Sequence, residues 1–190
     1  NVLGENATQK SSVLSLAAGL ENECSGKISW LQQPIVSFSR AVFAQQRAML
    51  EQQIPPKMGL SVQAVLQLAA FPHGLSVQQI QPILEQLWAR CAWKNAIELN
   101  ASYDRLSGGQ QQCVQITRVC LQVLCAPKLR QGLLILDEPT SALDLCYQQS
   151  CLRLLQYCAY EKNCTVLCSL HDLQQADAYA DHLLLLSKGH

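Results

Sequence analysis

Two adjacent carboxylates, Asp137 and Glu138, close the apolar run Leu133-Leu134-Ile135-Leu136 and are followed at once by Pro139. A short apolar run bounded by charge and proline reads as a buried strand, so both carboxylates fall at the C-terminal edge of a sheet, where open α/β folds bind ligands. There one carboxylate can hold a magnesium ion through water, and its neighbour can polarise a water that attacks a phosphate. The pair also reads as a plain acidic exit from a strand that Pro139 stops. A second run, Leu106-Ser107-Gly108-Gly109-Gln110-Gln111-Gln112, precedes the helical pattern of Val114, Ile116, Val119 and Leu121. Ser107 is a natural N-cap and the glycines permit close approach of a backbone. The helix start they form, with free amides and a positive dipole end, suits phosphate oxygens. An ordinary capped helix after a Gly-Gly turn is the other reading of that run. The loop that begins at Gly4 is a third candidate, a phosphate loop in which Lys10 offers charge and Ser11 a hydroxyl for magnesium.

The elements that must position these groups follow from periodicity. Residues 11–20 read as a helix with Val13, Leu14, Leu16, Ala17 and Leu20 on its buried side. Val62, Val65, Leu66, Ala69 and Ala70 mark a second helix, and Ile80, Ile83, Leu84, Leu87 and Trp88 a third. Residues 165–170 and 182–186 are short apolar or β-branched runs suited to a buried parallel sheet, and residues 144–160 carry a helical pattern through Leu145, Leu152, Leu155 and Cys158. Strand and helix alternate in the outer parts while the middle is helical throughout. The expected architecture is an α/β core, residues 1–54 plus 126–190, interrupted by an all-helical subdomain at 55–125.

Bulk properties narrow the function. A chain of 190 residues that is 49% hydrophobic can bury one sizeable core. With 14 basic and 14 acidic residues its formal charge is zero, so no extended field gathers nucleic acid or anionic lipid. No apolar run approaches the ~20 residues that span a bilayer, and the N-terminus lacks a secretory signal pattern. The ten cysteines sit among apolar residues, as Cys120, Cys151, Cys158 and Cys168 do, and no Cys-x-x-Cys pair occurs, so they read as reduced core thiols rather than zinc ligands or a disulfide framework. His73, His182 and His190 lack partners at ligand spacing and default to surface or loop, which leaves His171.

Taken together, the Ser107 run and the strand ending in Asp137-Glu138 resemble the signature motif and Walker B strand of ATP-binding cassette (ABC) ATPases, and Ser141-Ala142-Leu143-Asp144 resembles the family's D-loop. The finer likeness is to ATP-binding subunits of haem, iron-siderophore and cobalamin importers. It rests on Asp137 through Leu145 with Gln148-Gln149 and Leu152-Arg153-Leu154-Leu155, and on Leu170-His171-Asp172-Leu173 with Tyr179-Ala180-Asp181. The resemblance implies a P-loop NTPase, RecA-like core with a mostly parallel sheet. It implies ATP and Mg²⁺ as cofactors, Glu138 as general base and His171 as the sensor of the γ-phosphate. Gly4, Asn6, Lys10, Ser11, Ser12, Gln52, Ser107, Gly108, Gly109, Gln110 and Asp144 would contact nucleotide, and Ser11, Gln52 and Asp137 the magnesium. Gln52, just before Pro55-Pro56, matches the Q-loop glutamine in preference to Gln53, because residues 47–52 resemble the strand that leads into that loop. The implied assembly is a head-to-tail homodimer on transmembrane permease subunits, at the cytoplasmic face of the inner membrane. It is served indirectly by a periplasmic or lipoprotein substrate-binding protein and involves no nucleic acid. The implied activity is ATP hydrolysis that drives import of hemin or a related iron chelate.

The pattern departs from the family at several positions. Ala7 and Gln9 replace two glycines that the resemblance predicts, and a left-handed backbone at either would cost about 1–2 kcal/mol. Cys113 and Thr117 stand where relatives carry Arg and Ala, changes expected to disturb how the helical insertion is held. The chain starts three residues before Gly4, without the family's upstream strands and adenine-stacking aromatic, and stops at His190 where a further strand is expected. It therefore reads as a cassette truncated at both ends, and a degenerate, non-hydrolysing partner of a permease is the alternative function.

Overall fold

The computed structural model describes residues 2–4, 7–21, 26–52, 57, 59–126 and 131–186. Its central layer is a parallel sheet. β4 (Arg47–Leu50), β5 (Gly132–Leu136) and β6 (Cys164–Cys168) pair side by side, with Leu50 level with Leu136 and Leu136 level with Cys168. β1 (Val2–Gly4) runs parallel to β7 (Leu184–Leu186), and a bridge between Val2 and Ser169 links this pair to the end of β6. Strands β2 (Ser29–Trp30) and β3 (Gln33–Pro34) form a separate two-residue hairpin.

Every residue of β5 is buried, as expected for a strand covered on both faces. The pleat sends Leu134 and Leu136 into one core and Leu133 and Ile135 into another. On the second side lie α1 (Ala7–Ala17), through Leu14, with Ala18 just after it, and α2 (Arg40–Gln46), through Phe43. The first side is larger. It is built on α5 (Gly108–Leu124) and α6 (Leu145–Tyr160), with α3 (Val62–Gln67) and α4 (Val77–Arg90) packed beyond them. A short helix α7 (Leu173–Tyr179) follows β6. This three-layer α/β arrangement is the P-loop NTPase type of fold.

Local chemistry explains where these helices start. Ser39, Ser61, Ser76, Ser107, Asp144 and Asp172 each cap a helix by accepting a backbone N–H, and Ser76 with Gln79 and Ser107 with Gln110 close reciprocal capping boxes. Of the apolar positions expected of the middle helices, Val62, Val65, Leu66, Ala69, Ala70, Ile80, Leu84 and Leu87 lie buried in the larger core, while Ile83 and Trp88 are half-buried against it.

Three expectations need correction. The first helix starts at Ala7, not Ser11; Lys10 and Leu14 in it and Ala18 just beyond it are buried, while Leu20 is exposed. The run at 182–186 is not buried: among the described residues β7 has only β1 beside it, and Leu183, Leu184 and Leu185 are exposed. His73 is half-buried at the end of a 3-10 turn rather than free on the surface, and its Nε2 lies 2.7 Å from the Gln122 carbonyl. Of the nine described cysteines all but Cys146 are buried, in keeping with their place among apolar residues in the sequence.

Candidate functional site

Strand register builds the site. Because β4, β5 and β6 end level with one another, Gln52, Asp137-Glu138 and Ser169-Leu170-His171 all leave the sheet at one edge. Backbone hydrogen bonds continue one step past the strands, Asp137 N–H to the Leu50 carbonyl and Ser169 N–H to that of Leu136, both 2.9 Å. β1 enters the same edge by its Val2–Ser169 bridge and passes the chain to α1, whose Lys10 and Ser11 then face the ends of β5 and β6.

At the centre is Glu138. Its Oε1 pairs with Lys10 Nζ at 3.3 Å, and both side chains are almost wholly buried. The same oxygen accepts from His171 Nε2 at 2.5 Å, and Oε2 accepts from the Gln52 amide at 3.0 Å. Lys10 Nζ also lies 3.2 Å from His171 Nδ1. One tautomer satisfies this geometry, with Nε2–H donating to the carboxylate and Nδ1 accepting from the ammonium. Beside this group, the Ser11 hydroxyl donates to Asp137 Oδ2 at 2.5 Å. Glu138 has φ +49°, a left-handed backbone that a residue with a Cβ adopts at a cost of about 1–3 kcal/mol, and such strain gathers at functional sites.

The structure thus brings Lys10, Ser11, Gln52, Asp137, Glu138 and His171 together. Among the described residues the hydrogen bonds of Ser107 and Gln110 go elsewhere, to each other and from the Gln110 amide to the Ala96 carbonyl. Gly109 touches the D-loop-like turn, where a Cβ would meet the Ala142 carbonyl at 2.8 Å. Asp144 caps α6 by accepting from Tyr147 N–H. Gly4 ends β1 and Ser12 lies in α1; Asn6, Gln53 and His190 lie outside the described residues. Ala7 and Gln9 both have helical backbone within α1, so the left-handed strain considered for them does not arise. Cys113 is fully buried, and Thr117 is used: its hydroxyl donates to the Cys113 carbonyl at 2.9 Å and accepts from Trp93 Nε1 at 3.2 Å, holding α5 to the neighbouring turn.

Ser169 is the residue that sequence reasoning missed. Its buried hydroxyl donates to Asp137 Oδ1 at 2.6 Å and accepts from the Glu138 N–H at 2.8 Å, so it orients the carboxylate and braces the strained peptide. The available signal was positional: a polar residue directly after a short apolar strand, two before His171.

Ser11 Oγ and the Asp137 carboxylate form a hard-oxygen pair of the kind magnesium prefers, so these residues fit the ion. Among the described residues no group of three or more His, Cys, Asp or Glu side chains is arranged to hold a metal alone. A magnesium that arrives with phosphate oxygens needs fewer protein ligands than that.

Residues 1–141 match the family model of the ABC transporter. The chain belongs to the ABC transporter family. As a member it is similar to the hemin import ATP-binding proteins of Shewanella denitrificans, at 38% identity over 99% of this chain and 72% of the relative, and of Escherichia coli O157:H7, at 37% over 99% and 72%. The solved ATP-binding subunit of an ABC transporter superposes with a TM-score of 0.81 at 25% identity, covering 99% of this ABC family chain and 74% of the other. A dimeric bacterial ABC transporter cassette superposes at 0.80, with 20% identity over 99% and 80% of the two chains, a likeness of fold alone. Among the described residues no helix is long and apolar enough to cross a membrane.

Proposed function

We propose that this chain binds and hydrolyses ATP as the energising subunit of an ABC importer for hemin or a related iron chelate. The observation that carries the reading is the meeting of Lys10, Gln52, Glu138 and His171 around one buried carboxylate at a parallel-sheet edge. Lys10 is the phosphate ligand in this reading. An incoming phosphate competes with Glu138 for the ammonium, and its arrival frees Glu138 to accept a proton from the attacking water. His171 then exchanges its carboxylate partner for the γ-phosphate. Gln52 remains within reach of Glu138 and reports the exchange to the chain beyond it. Magnesium, held by Ser11 and Asp137, would neutralise phosphate charge.

In the same reading, residues 1–54 and 126–190 form the nucleotide-binding core, and residues 55–125 the subdomain that presents Ser107-Gly108-Gly109 to a partner. Two copies then assemble head to tail on permease subunits, at the cytoplasmic face of the cell membrane, with a substrate-binding protein acting indirectly. The support is the names of the relatives, hemin import ATP-binding proteins, and a solved structure at 28% identity and TM-score 0.75 described as of metal-chelate type.

The test is ATP turnover by the purified protein. Glu138→Gln keeps shape and hydrogen bonding but cannot take a proton, and is expected to lower kcat by at least ~100-fold while ATP still binds. Turnover that survives the substitution would sink the catalytic assignment. One observation favours a second reading, a non-hydrolysing cassette. Helical backbone begins at Ala7, where the family pattern has a glycine loop, and Lys10 is already paired. ATP affinity separates the two, since roughly micromolar binding, about 8 kcal/mol, contradicts a decayed phosphate site.

A further inference from the structure

Outside the charged cluster lies a chain of side-chain amides. Asp172 caps α7 by accepting from the N–H groups of Gln174 and Gln175, so the helix starts directly after His171. From its first turn, Gln175 Nε2 donates to Gln148 Oε1 at 2.8 Å. Gln148, on α6, turns its own Nε2 to the carbonyls of Leu143 at 2.9 Å and Thr140 at 3.3 Å. On the far side of the same turn, Gln112 Nε2 of α5 donates to the Pro139 carbonyl at 3.3 Å, and Gly109 is packed against the Ala142 carbonyl.

The orientations are forced. Carbonyls only accept, so Gln148 must face them with its nitrogen and offer its oxygen to Gln175, which must answer with nitrogen. A cavity of about 160 Å³ between Glu138, Ser141, Gln148, His171 and Gln175 leaves room for these groups to shift together.

We propose that Gln148 is a positioning residue that couples the place of His171 to the turn at 139–144, and through Gly109 and Gln112 to the start of α5. It touches neither the reacting atoms nor the Lys10–Glu138 pair. Its role is to make a displacement of α7, when His171 leaves Glu138, felt at Ser107-Gly108-Gly109. The functional meaning of this coupling rests on the ATPase reading above, but the coupling itself does not require nucleotide.

The experiment is therefore run without nucleotide, by hydrogen exchange on the full chain. His171→Ala removes the contact with Glu138. Against the wild-type background it is expected to speed exchange about tenfold at the amides of Ser141, Leu143, Gln110 and Gln111 as well as in α7, a coupling of ordinary allosteric size. Gln148→Met keeps length and volume but removes both ends of the relay. In that background the same substitution is expected to speed exchange in α7 and by less than about twofold at the other four amides. Gln175→Leu, which leaves Gln148 on the turn, should decouple in the same way and serves if the Met variant folds poorly. Equal propagation in the relay variants, or none in the wild-type background, overturns the proposal. A parallel ATP-binding measurement on wild type keeps the questions apart: absence of binding defeats the ATPase reading, while the exchange result still decides the relay.

Discussion

At the scale of single residues, the Glu138 carboxylate is held by Lys10, His171 and Gln52, and Ser169 stabilises that arrangement from behind. Asp137 Oδ1 and the Glu138 N–H both use its hydroxyl, and all three residues are buried. Removing the hydroxyl takes a partner from a buried acceptor and a buried donor, which costs about 1–3 kcal/mol. Ser169→Ala should therefore lower the unfolding free energy by that amount in a urea titration and raise the magnesium concentration needed for half-maximal turnover, because Asp137 loses its orientation. An unchanged urea midpoint would mean that water replaces the hydroxyl. Asp137 and Glu138 were legible in the sequence because carboxylates after an apolar run are a local pattern, and His171 because its stretch resembles a motif of the family. Ser169 was not, because what assigns it is the parallel register that sets Leu136 level with Cys168 and so the next residues, Asp137 and Ser169, side by side.

At the scale of elements, α5 shows propensity and packing pulling in opposite directions. Gly109 sits in its first turn, where alanine is the better helix former by about 1 kcal/mol. A methyl group there would meet the Ala142 carbonyl at 2.8 Å, and backbone on both sides cannot yield as a flexible side chain would. Packing should win. Gly109→Ala is expected to destabilise the protein by about 1–3 kcal/mol in thermal or urea unfolding, and a gain in stability would show that the turn at 139–144 shifts freely. The glutamines after Gly109 have the same neighbourly function: Gln111 donates to the Tyr103 carbonyl and Gln115 to the Tyr103 hydroxyl, tying α5 to the segment that precedes it. Long elements such as α4, α5 and α6 could be read from their apolar period. The first strand could not, since Val2–Gly4 is too short for any period and is a strand only because Ser169 and β7 lie beside it. The start of α1 was misplaced for a related reason: a loop pattern anchored on Gly4 and Lys10 hides the helical backbone that Ala7 and Gln9 permit.

At the scale of the whole molecule, the larger core is lined with thiols, and this gives the fold a pH limit. Burial pushes the thiols of Cys91, Cys113, Cys164 and Cys168 up to about 12 and that of Cys125 to about 11, from an ordinary value of 9.0. The folded form holds these groups neutral, so their contribution is complete below pH 9. Between about pH 9 and 12 the unfolded chain sheds thiol protons that the folded chain keeps, it therefore binds fewer protons, and stability falls as pH rises. Each thiol removes roughly 1.4 kcal/mol for every pH unit inside that window, so several acting together approach the 5–15 kcal/mol that holds an ordinary domain folded. Urea midpoints measured under reducing conditions should be level from pH 7 to about 8.5 and then drop steeply by pH 10. Replacing Cys113 with alanine removes one titrating group and should shallow the alkaline slope, even though the cavity it leaves lowers the plateau. A plateau lowered with the slope unchanged would show that the alkaline limit comes from other groups, with the buried tyrosine Tyr103, whose hydroxyl burial also pushes upward, the first to examine.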